Sequence, residues 1–166
     1  MFQNDGRISV LGMGISMQQD IYNVLNSILV KIFNDILSIE QKALIVDEFS
    51  DITVTDMHII DAVGNGEART MSQISKTLEV TMGTLTIGIN GLVKKGYVER
   101  RRGEKDRRIV YASLTDKGRR AYDHHRQFHK DMVSSVMNGL SEEEAKVLAK
   151  TMTKLDNFFE ELKKPE

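Results

Sequence analysis

One short stretch of the chain places small, uncharged side chains at a helical spacing that suits contact with base edges. Residues 81–95 read TMGTLTIGINGLVKK, and at 100° per residue they separate into two faces. The inner face is predicted to be apolar, with Met82, Leu85, Ile89, Leu92 and Val93. The outer face carries Gly83, Thr84, Ile87, Asn90, Gly91 and Lys94. Hydroxyl and amide groups can hydrogen-bond to base edges, and an isoleucine can contact a thymine methyl. The alternative is that the glycines, each costing about 1 kcal/mol in a helix relative to alanine, pack against another helix.

A cluster of cations follows this stretch at the tip of a hairpin. Arg102, Lys105, Arg107 and Arg108 surround a polar turn that also contains Asp106. A basic tip on a thin ribbon can follow phosphates or enter a narrow minor groove, where the negative potential is strongest. Asp106 can hold a neighbouring guanidinium through a bidentate pair. The alternative is a solvated turn with a local ion pair of little energetic value.

The charge distribution points to a localised anionic partner. The whole chain of 166 residues has a net charge of −1, yet residues 94–130 carry 13 basic and 5 acidic side chains. The absence of cysteine excludes disulfides, thiolate zinc sites and cysteine nucleophiles. No nucleophile constellation or phosphate-cradling loop is recognisable, so we do not expect an enzyme. No apolar run approaches the roughly 18 residues of a membrane span, and we expect a cytoplasmic protein.

Helical periodicity on both sides of these motifs indicates a scaffold. From Asp20 to about Val46 the apolar residues cover roughly two-thirds of the helix circumference, which is wider than one core-facing stripe. A second copy of the chain is the simplest partner for the surplus face. The last helix, capped by Ser141 and Glu144, carries a narrow apolar seam typical of helix–helix packing. The seam consists of Leu148, Met152, Leu155, Phe159 and Leu162.

Local signals between these helices predict a helix-turn-helix followed by a two-stranded wing. Thr55 is expected to cap a short helix, Thr70 with Gln73 to cap a second, and Thr81 to cap a third that stops at Gly96. Strands are predicted at 97–101 and 109–114, and Thr115 then caps a long helix. The fold class is therefore mainly α with a small β-wing. We divide the chain into a disordered leader (1–16), an N-terminal dimerisation helix (17–50), a winged helix-turn-helix DNA-binding region (51–114) and C-terminal dimerisation helices (115–166).

The order of several short motifs between Ser72 and Gly118 resembles the MarR family of winged-helix regulators. The matching pieces are Gln73-Ile74-Ser75, Leu78-Glu79-Val80-Thr81, Gly83-Thr84-Leu85-Thr86, residues 92–100, Asp106-Arg107-Arg108 and residues 114–118. The resemblance implies a homodimer that binds a palindromic operator, with Thr81–Lys95 as recognition helix and Arg101–Val110 as wing. The DNA-binding residues it implies are Ser72, Gln73, Thr81, Gly83, Thr84, Thr86, Ile87, Asn90, Lys94, Arg102, Lys105, Asp106, Arg107 and Arg108.

Within the family, the sequence is most similar to the repressors of fatty-acid biosynthesis in Gram-positive cocci. The stretches that carry this similarity are residues 32–40, 57–61, 80–86 and 128–130, together with Met132. The resemblance implies repression of fatty-acid synthesis genes, with acyl chains on acyl carrier protein as corepressor and no other cofactor. Acyl carrier protein is acidic, and Arg119, Arg120 and Arg126 offer it basic contacts.

Two sets of residues are candidates for sensing an effector. The first is apolar and would hold an acyl chain between the first, second and fifth helices: Ile32, Phe33, Ile36, Met57, Ile60, Phe128 and Met132. The alternative is that these residues form the core and the dimer interface. The second set comprises His125 and His129 at i, i+4, with His58 as a further candidate, because some members of the family sense zinc through this helix. A regulator of zinc or of a small hydrophobic or phenolic ligand is thus the alternative function, although these histidines can also bond across an interface or flank an effector pocket.

Overall fold

The computed structural model describes residues 6–44 and 48–163, which contain six helices and three short strands and fall into two compact units that divide between Asp56 and Met57. The helices are α1 (Gly6–Leu44), α2 (Val54–Val63), α3 (Met71–Thr77), α4 (Met82–Lys94), α5 (Asp116–Asn138) and α6 (Glu142–Leu162). The strands are β1 (Arg69–Thr70), β2 (Val98–Arg102) and β3 (Val110–Leu114). This content agrees with the predicted class, mainly α with a small wing.

The first unit consists largely of α1, which begins earlier than the sequence analysis expected. The helix includes residues 6–16, so the prediction of an irregular leader is corrected there, while residues 1–5 lie outside the described residues. Gly12 and Gly14 each disfavour a helix by about 1 kcal/mol, but residues of higher helix propensity surround them. Farther along, the apolar side chains from Ile21 to Ile39 are mostly exposed, in agreement with a surplus apolar face.

The start of α2 is fixed by Thr53 rather than by the predicted Thr55. The Thr53 hydroxyl accepts from the Asp56 backbone N–H at 3.1 Å, and the Asp56 carboxylate accepts from the Thr53 N–H at 3.2 Å. This reciprocal arrangement satisfies two backbone donors at once, which a cap at Thr55 would leave without partners.

The predicted helix-turn-helix is present in the second unit. Thr70 and Gln73 form the expected capping box of α3, and Thr81 caps α4. The connection between these helices passes through Glu79, a non-glycine residue at φ 55°. After the last residue of α4, Lys94, the chain turns at Gly96, which has φ 80°. Glycine adopts that left-handed backbone at no steric cost, which explains its place after the helix.

The wing is an antiparallel hairpin to which a third strand is added. Val98 pairs with Leu114 and Arg102 with Val110, so β2 and β3 are in register along their whole length. The two-residue strand β1 pairs with β3 and gives the order β1-β3-β2. The sequence analysis did not predict β1, because two residues carry no detectable period.

The core of the second unit lies beneath α4 and the sheet. Its largest fully buried side chains are Met57, Ile60, Val63, Ile74, Leu85, Ile89, Leu92, Tyr97, Val98 and Leu114. An added Cβ at Gly118 would overlap with the Tyr97 carbonyl oxygen, so the first turn of α5 packs directly on the backbone that precedes the wing. This packing fixes the base of the hairpin relative to α4.

The last helix is capped as predicted but buries none of its side chains within the described chain. Its exposed apolar residues are Val147, Leu148, Met152, Phe158, Phe159 and Leu162. In the part of the chain that the structure describes, no helix has the length and apolar character needed to cross a membrane.

Candidate nucleic-acid interface

The outer face of α4 is open to solvent, as predicted. Ile87 is 77% exposed, and Gly83, Thr84, Asn90 and Lys94 are also exposed, whereas Gly91 is half-buried. An isoleucine in this position costs solubility and contributes little to the core of its own chain. The surface therefore combines an apolar tip with small polar groups and has Lys94 at its end.

Two residues that the sequence analysis assigned to the inner face lie at its edges. Met82 is 44% exposed and Val93 is 39% exposed, so their predicted core positions are corrected. Leu85, Ile89 and Leu92 form the centre of the buried stripe. A stripe of this width matches the narrow contact that one short helix makes with the domain beneath it.

The glycines of α4 separate into two kinds. A Cβ added at Gly88 would overlap with Ile59 Cδ1, so this glycine permits close packing of α4 on α2. Apart from the backbone of its own helix, a Cβ at Gly91 would have no atom of the described residues within 4 Å, and one at Gly83 would lie 3.8 Å from the Thr81 hydroxyl oxygen. Close helix packing thus explains Gly88, but it does not explain the two glycines of the outer face.

The amide of Asn90 is oriented by a residue of the wing. Arg100 Nη1 donates to Asn90 Oδ1 at 2.6 Å. Arg100 was not among the predicted site residues, because the contact depends on the packing of β2 beside α4, and neither sequence period reveals it. The alternation along β2 offers only the weak signal that Arg100 and Arg102 share one face.

Several predicted site residues form hydrogen bonds within their own helices, some of them as helix caps. Gln73 Oε1 accepts from the Thr70 N–H at 2.8 Å and from the Thr70 hydroxyl at 3.0 Å. The Thr81 hydroxyl oxygen accepts from the Thr84 N–H at 3.1 Å. Thr86 is half-buried and donates its hydroxyl to the Met82 carbonyl at 2.7 Å, which leaves only its acceptor lone pairs for a partner. Ser72 is exposed near the start of α3.

The wing tip presents its predicted cations to solvent. Arg102, Lys105, Arg107 and Arg108 are exposed, and among the described residues none of them forms an ion pair. Their charge is therefore not neutralised within the hairpin. Such cations can displace counterions from a phosphate backbone.

Asp106 shapes the turn instead of holding a guanidinium. Its Oδ1 accepts from the Arg108 backbone N–H at 2.9 Å, and within the described chain no guanidinium forms an ion pair with it, which corrects the predicted bidentate pair. A short carboxylate two residues before an N–H closes a local turn more readily than it reaches a long side chain. A Cβ at Gly103 would lie 2.7 Å from the Asp106 carbonyl oxygen, so the tip depends on glycine.

The candidate acyl-binding residues are divided between the two units. Ile32 and Phe33 are exposed on α1 and Ile36 is half-buried there. In the second unit, Met57 and Ile60 are fully buried core residues, whereas Phe128 and Met132 on α5 are half-buried. The structure thus brings Met57 and Ile60 into one core. The predicted pocket itself stays a prediction.

His125 and His129 of α5 share a hydrogen bond, and Asp61 lies close to His125 on its other side. His125 is 2% exposed, its Nδ1 lies 2.8 Å from Asp61 Oδ2, and its Nε2 lies 3.0 Å from His129 Nε2. The ring of His58 lies 6.5 Å from that of His125, between centroids. The sequence analysis identified the histidines from their spacing but missed Asp61, which approaches from α2.

These features define a winged helix-turn-helix protein whose exposed helix face and cationic hairpin suit a polyanionic duplex. The family model described as MarR family matches residues 50–109. The chain is 26% identical over 110 residues to the HTH-type transcriptional regulator PchR of Bacillus subtilis, covering 64% of this chain and 65% of PchR. It is 31% identical over 91 residues to the HTH-type transcriptional repressor YetL of the same organism, covering 55% of this chain and 53% of YetL. The chain thus spans between about half and two-thirds of these curated relatives.

A solved structure extends the similarity over the whole fold. The Streptococcus pneumoniae FabT structure in complex with DNA superposes with a TM-score of 0.81 at 46% identity, covering 86% of this chain and 99% of FabT. The chain therefore belongs to the MarR family, and its coarse function is that of a DNA-binding transcriptional regulator. The family and the fold are those of regulators, not of an enzyme class.

Proposed function

We propose that the protein is a homodimeric repressor of fatty-acid biosynthesis genes that binds a palindromic operator and responds to long-chain acyl groups on acyl carrier protein. One observation supports the DNA-binding part: the nearly uncharged outer face of α4 is open to solvent beside wing cations that have no ion-pair partner in the described chain. The similarity to FabT, at 46% identity over 99% of its chain, supports the fatty-acid role.

The recognition step follows from the chemistry of the two surfaces. The α4 face enters the major groove, where Thr84 and Asn90 meet base edges and Ile87 meets a thymine methyl. The wing cations neutralise phosphates beside the adjacent minor groove, so affinity falls steeply as salt rises. The glycines keep the helix backbone close to the bases.

The exposed apolar faces of α1 and α6 support a homodimer. A single chain exposes long apolar side chains along α1, including Leu25, Leu29 and Phe33, and along α6, including Phe159 and Leu162. Contiguous apolar patches of this extent are uncommon on monomers and mark interaction surfaces. A two-fold dimer presents two copies of α4 to half-sites about one helical turn apart.

The effector acts by stabilising one distance between the two recognition helices, that is, between the α4 helices of the two protomers. An acyl chain raises operator affinity if it binds the DNA-competent arrangement better than the alternatives. The residues proposed to contact it are the predicted set of Ile32, Phe33, Ile36, Met57, Ile60, Phe128 and Met132. The similarity to fatty-acid repressors supports corepression, in which the effector strengthens DNA binding. Basic residues of α5, namely Arg119, Arg120 and Arg126, provide contacts for the acidic carrier protein.

Operator affinity with and without the acylated carrier tests this proposal. Fluorescence anisotropy is measured on a labelled palindrome from the promoter of a fatty-acid synthesis gene, at one fixed salt concentration. Long-chain acyl carrier protein is expected to lower the Kd, while the unacylated carrier and a short-chain form leave it unchanged. An equal Kd without carrier and with each of the three carrier forms contradicts acyl sensing. Equal affinity for a scrambled duplex contradicts sequence-specific binding.

A second candidate effector is zinc, and the histidine pair of α5 favours it. The two Nε2 atoms of His125 and His129 lie 3.0 Å apart, and nitrogens bound to one tetrahedral ion at about 2.1 Å lie roughly 3.4 Å apart. Asp61 Oδ2 lies 2.8 Å from Nδ1 of His125, the side from which outer-shell carboxylates approach metal-binding histidines. Calorimetry with zinc tests this: binding that His129→Gln abolishes and His124→Gln retains supports it, and the absence of heat with the unmodified protein removes it.

A further inference from the structure

We propose that Arg100 sets the base preference of the recognition helix by occupying the carbonyl oxygen of Asn90, so that Asn90 offers hydrogen-bond donors to the DNA. The inference rests on the proposed entry of α4 into the major groove. It predicts a base that presents acceptor atoms, guanine above all, at the position that Asn90 contacts, and it predicts discrimination against adenine.

The geometry of this contact is determined by two neighbouring elements. Asn90 lies on the exposed face of α4, and Arg100 is the third residue of β2, where it is paired with the buried Ala112 of β3. The pairing with β3 fixes the backbone from which the guanidinium extends. Its Nη1 then reaches Asn90 Oδ1 at 2.6 Å, a short distance that is typical of a charge-assisted hydrogen bond.

The chemistry of the two side chains fixes the orientation of the amide. A guanidinium has five donors and no acceptor, so only the oxygen of Asn90 can face it. The amide nitrogen, with two hydrogens, is therefore directed away from Arg100. The donor and acceptor types of the two side chains thus determine the orientation of the amide.

This orientation changes which base the asparagine recognises. A free asparagine binds adenine with both ends of its amide, because Oδ1 accepts from N6 and Nδ2 donates to N7. When a guanidinium already donates to one lone pair of Oδ1, the amino group of adenine must approach the second lone pair beside a positive charge, which disfavours adenine. Guanine presents two acceptors, O6 and N7, which attract both the amide N–H and the guanidinium.

The fold gives no structural reason for an arginine at position 100. Its side chain is exposed, and it forms no ion pair with any acidic group of the described residues. A substitution that keeps the aliphatic stem is therefore compatible with the folded domain. Arg101, its neighbour on the strand, points its guanidinium toward Tyr111 at 5.5 Å from the ring centroid and serves as a control of equal charge.

The experiment compares the base preferences of four proteins: the unmodified chain and three variants. The unmodified chain, Arg100→Met and Arg101→Met are each used to select bound duplexes from a randomised library, and the selected duplexes are sequenced. Asn90→Ala identifies the position in each half-site whose preference depends on the asparagine. Melting temperatures check that all variants remain folded.

We expect the unmodified protein to select guanine at that position, and Arg100→Met to shift the guanine-to-adenine preference toward adenine by roughly tenfold. Arg101→Met is expected to weaken binding to all sequences without changing the preference. An unchanged preference in Arg100→Met, or an asparagine-dependent adenine in the unmodified protein, overturns the inference while specific binding persists. If the unmodified chain selects no sequence at all, the proposed function fails with it.

Discussion

Replacing Gly91 with alanine is expected to make the protein more stable and a weaker DNA binder. Among the described residues, the added Cβ has no atom within 4 Å outside the backbone of its own helix, so the methyl group meets no steric resistance in the free protein. Alanine in a helix interior is favoured over glycine by about 0.5–1 kcal/mol, because the unfolded chain loses less entropy on folding. For a chain of this size, 1 kcal/mol corresponds to a rise in Tm of roughly 2–4 °C.

The same methyl group has the opposite effect on the complex. Gly91 lies on the outer face of α4, where small groups allow close approach to the base pairs. Forcing one extra carbon into a close-packed contact costs about 1–3 kcal/mol, which raises the Kd roughly 5- to 150-fold. Calorimetric unfolding at one protein concentration and anisotropy at one salt concentration measure the two effects separately.

Gly88→Ala is the matched control within the same helix. Its Cβ would overlap with Ile59 Cδ1, so overpacking offsets the gain in helix propensity, and we expect an unchanged or lower free energy of unfolding. DNA affinity of the folded protein is expected to change little, because this position faces α2. A Gly91→Ala protein that binds operator as tightly as the original would refute close approach at this face. A Gly91→Ala protein that is less stable would refute the open space assigned to the position.

Three further changes test other parts of the structure. Arg107→Ala is expected to weaken binding to every duplex alike and to reduce the slope of log K against log salt by about 1, and a loss confined to one operator would contradict a phosphate contact. Ile87→Ala is expected to change the free energy of unfolding by less than about 0.5 kcal/mol, and uracil in place of the contacted thymine should weaken the original protein but not the variant. Hydrogen bonds from the Ser141 side chain and backbone hold the pKa of Glu144 below its ordinary value, so Ser141→Ala should raise that pKa in an NMR titration. This carboxylate stabilises the folded state above its ordinary pKa and loses that effect as the pH falls through its folded value, so an unchanged titration would contradict the capping contact.

The sequence predicted correctly those features that depend on contacts between residues only a few positions apart. The boxes at Thr70–Gln73 and Ser141–Glu144 are formed as predicted, since a cap needs only two polar side chains at a spacing of three. The same rule misplaced the start of α2, because Thr53 and Thr55 offer equivalent hydroxyls and only Thr53 has an acidic residue three positions later. The exposed recognition face was predicted because it departs from the composition of an ordinary surface helix.

Tertiary contacts could not be derived from the same patterns. Periodicity assigns a residue to a face, but it does not state which neighbour approaches that face. Asp61 reaches His125 across 64 residues of sequence, and Arg100 reaches Asn90 only after the chain has turned into the wing. Asp106 shows a different error, since a neighbouring guanidinium was expected as its partner, whereas its carboxylate accepts from the Arg108 backbone N–H.

The glycines of α4 show why this distinction matters for function. In sequence, Gly88 and Gly91 are equally costly residues of one helix, and either could serve packing or recognition. The structure separates them by what a methyl group would meet: Ile59 at Gly88 and open space at Gly91. A glycine that no neighbour requires, in a helix that alanine would stabilise, points to a requirement imposed by a molecule that is absent when the protein folds alone. The cations of the neighbouring wing favour a polyanion as that molecule, and an Asn90 amide whose oxygen accepts from Arg100 is expected to offer its N–H donors to a base.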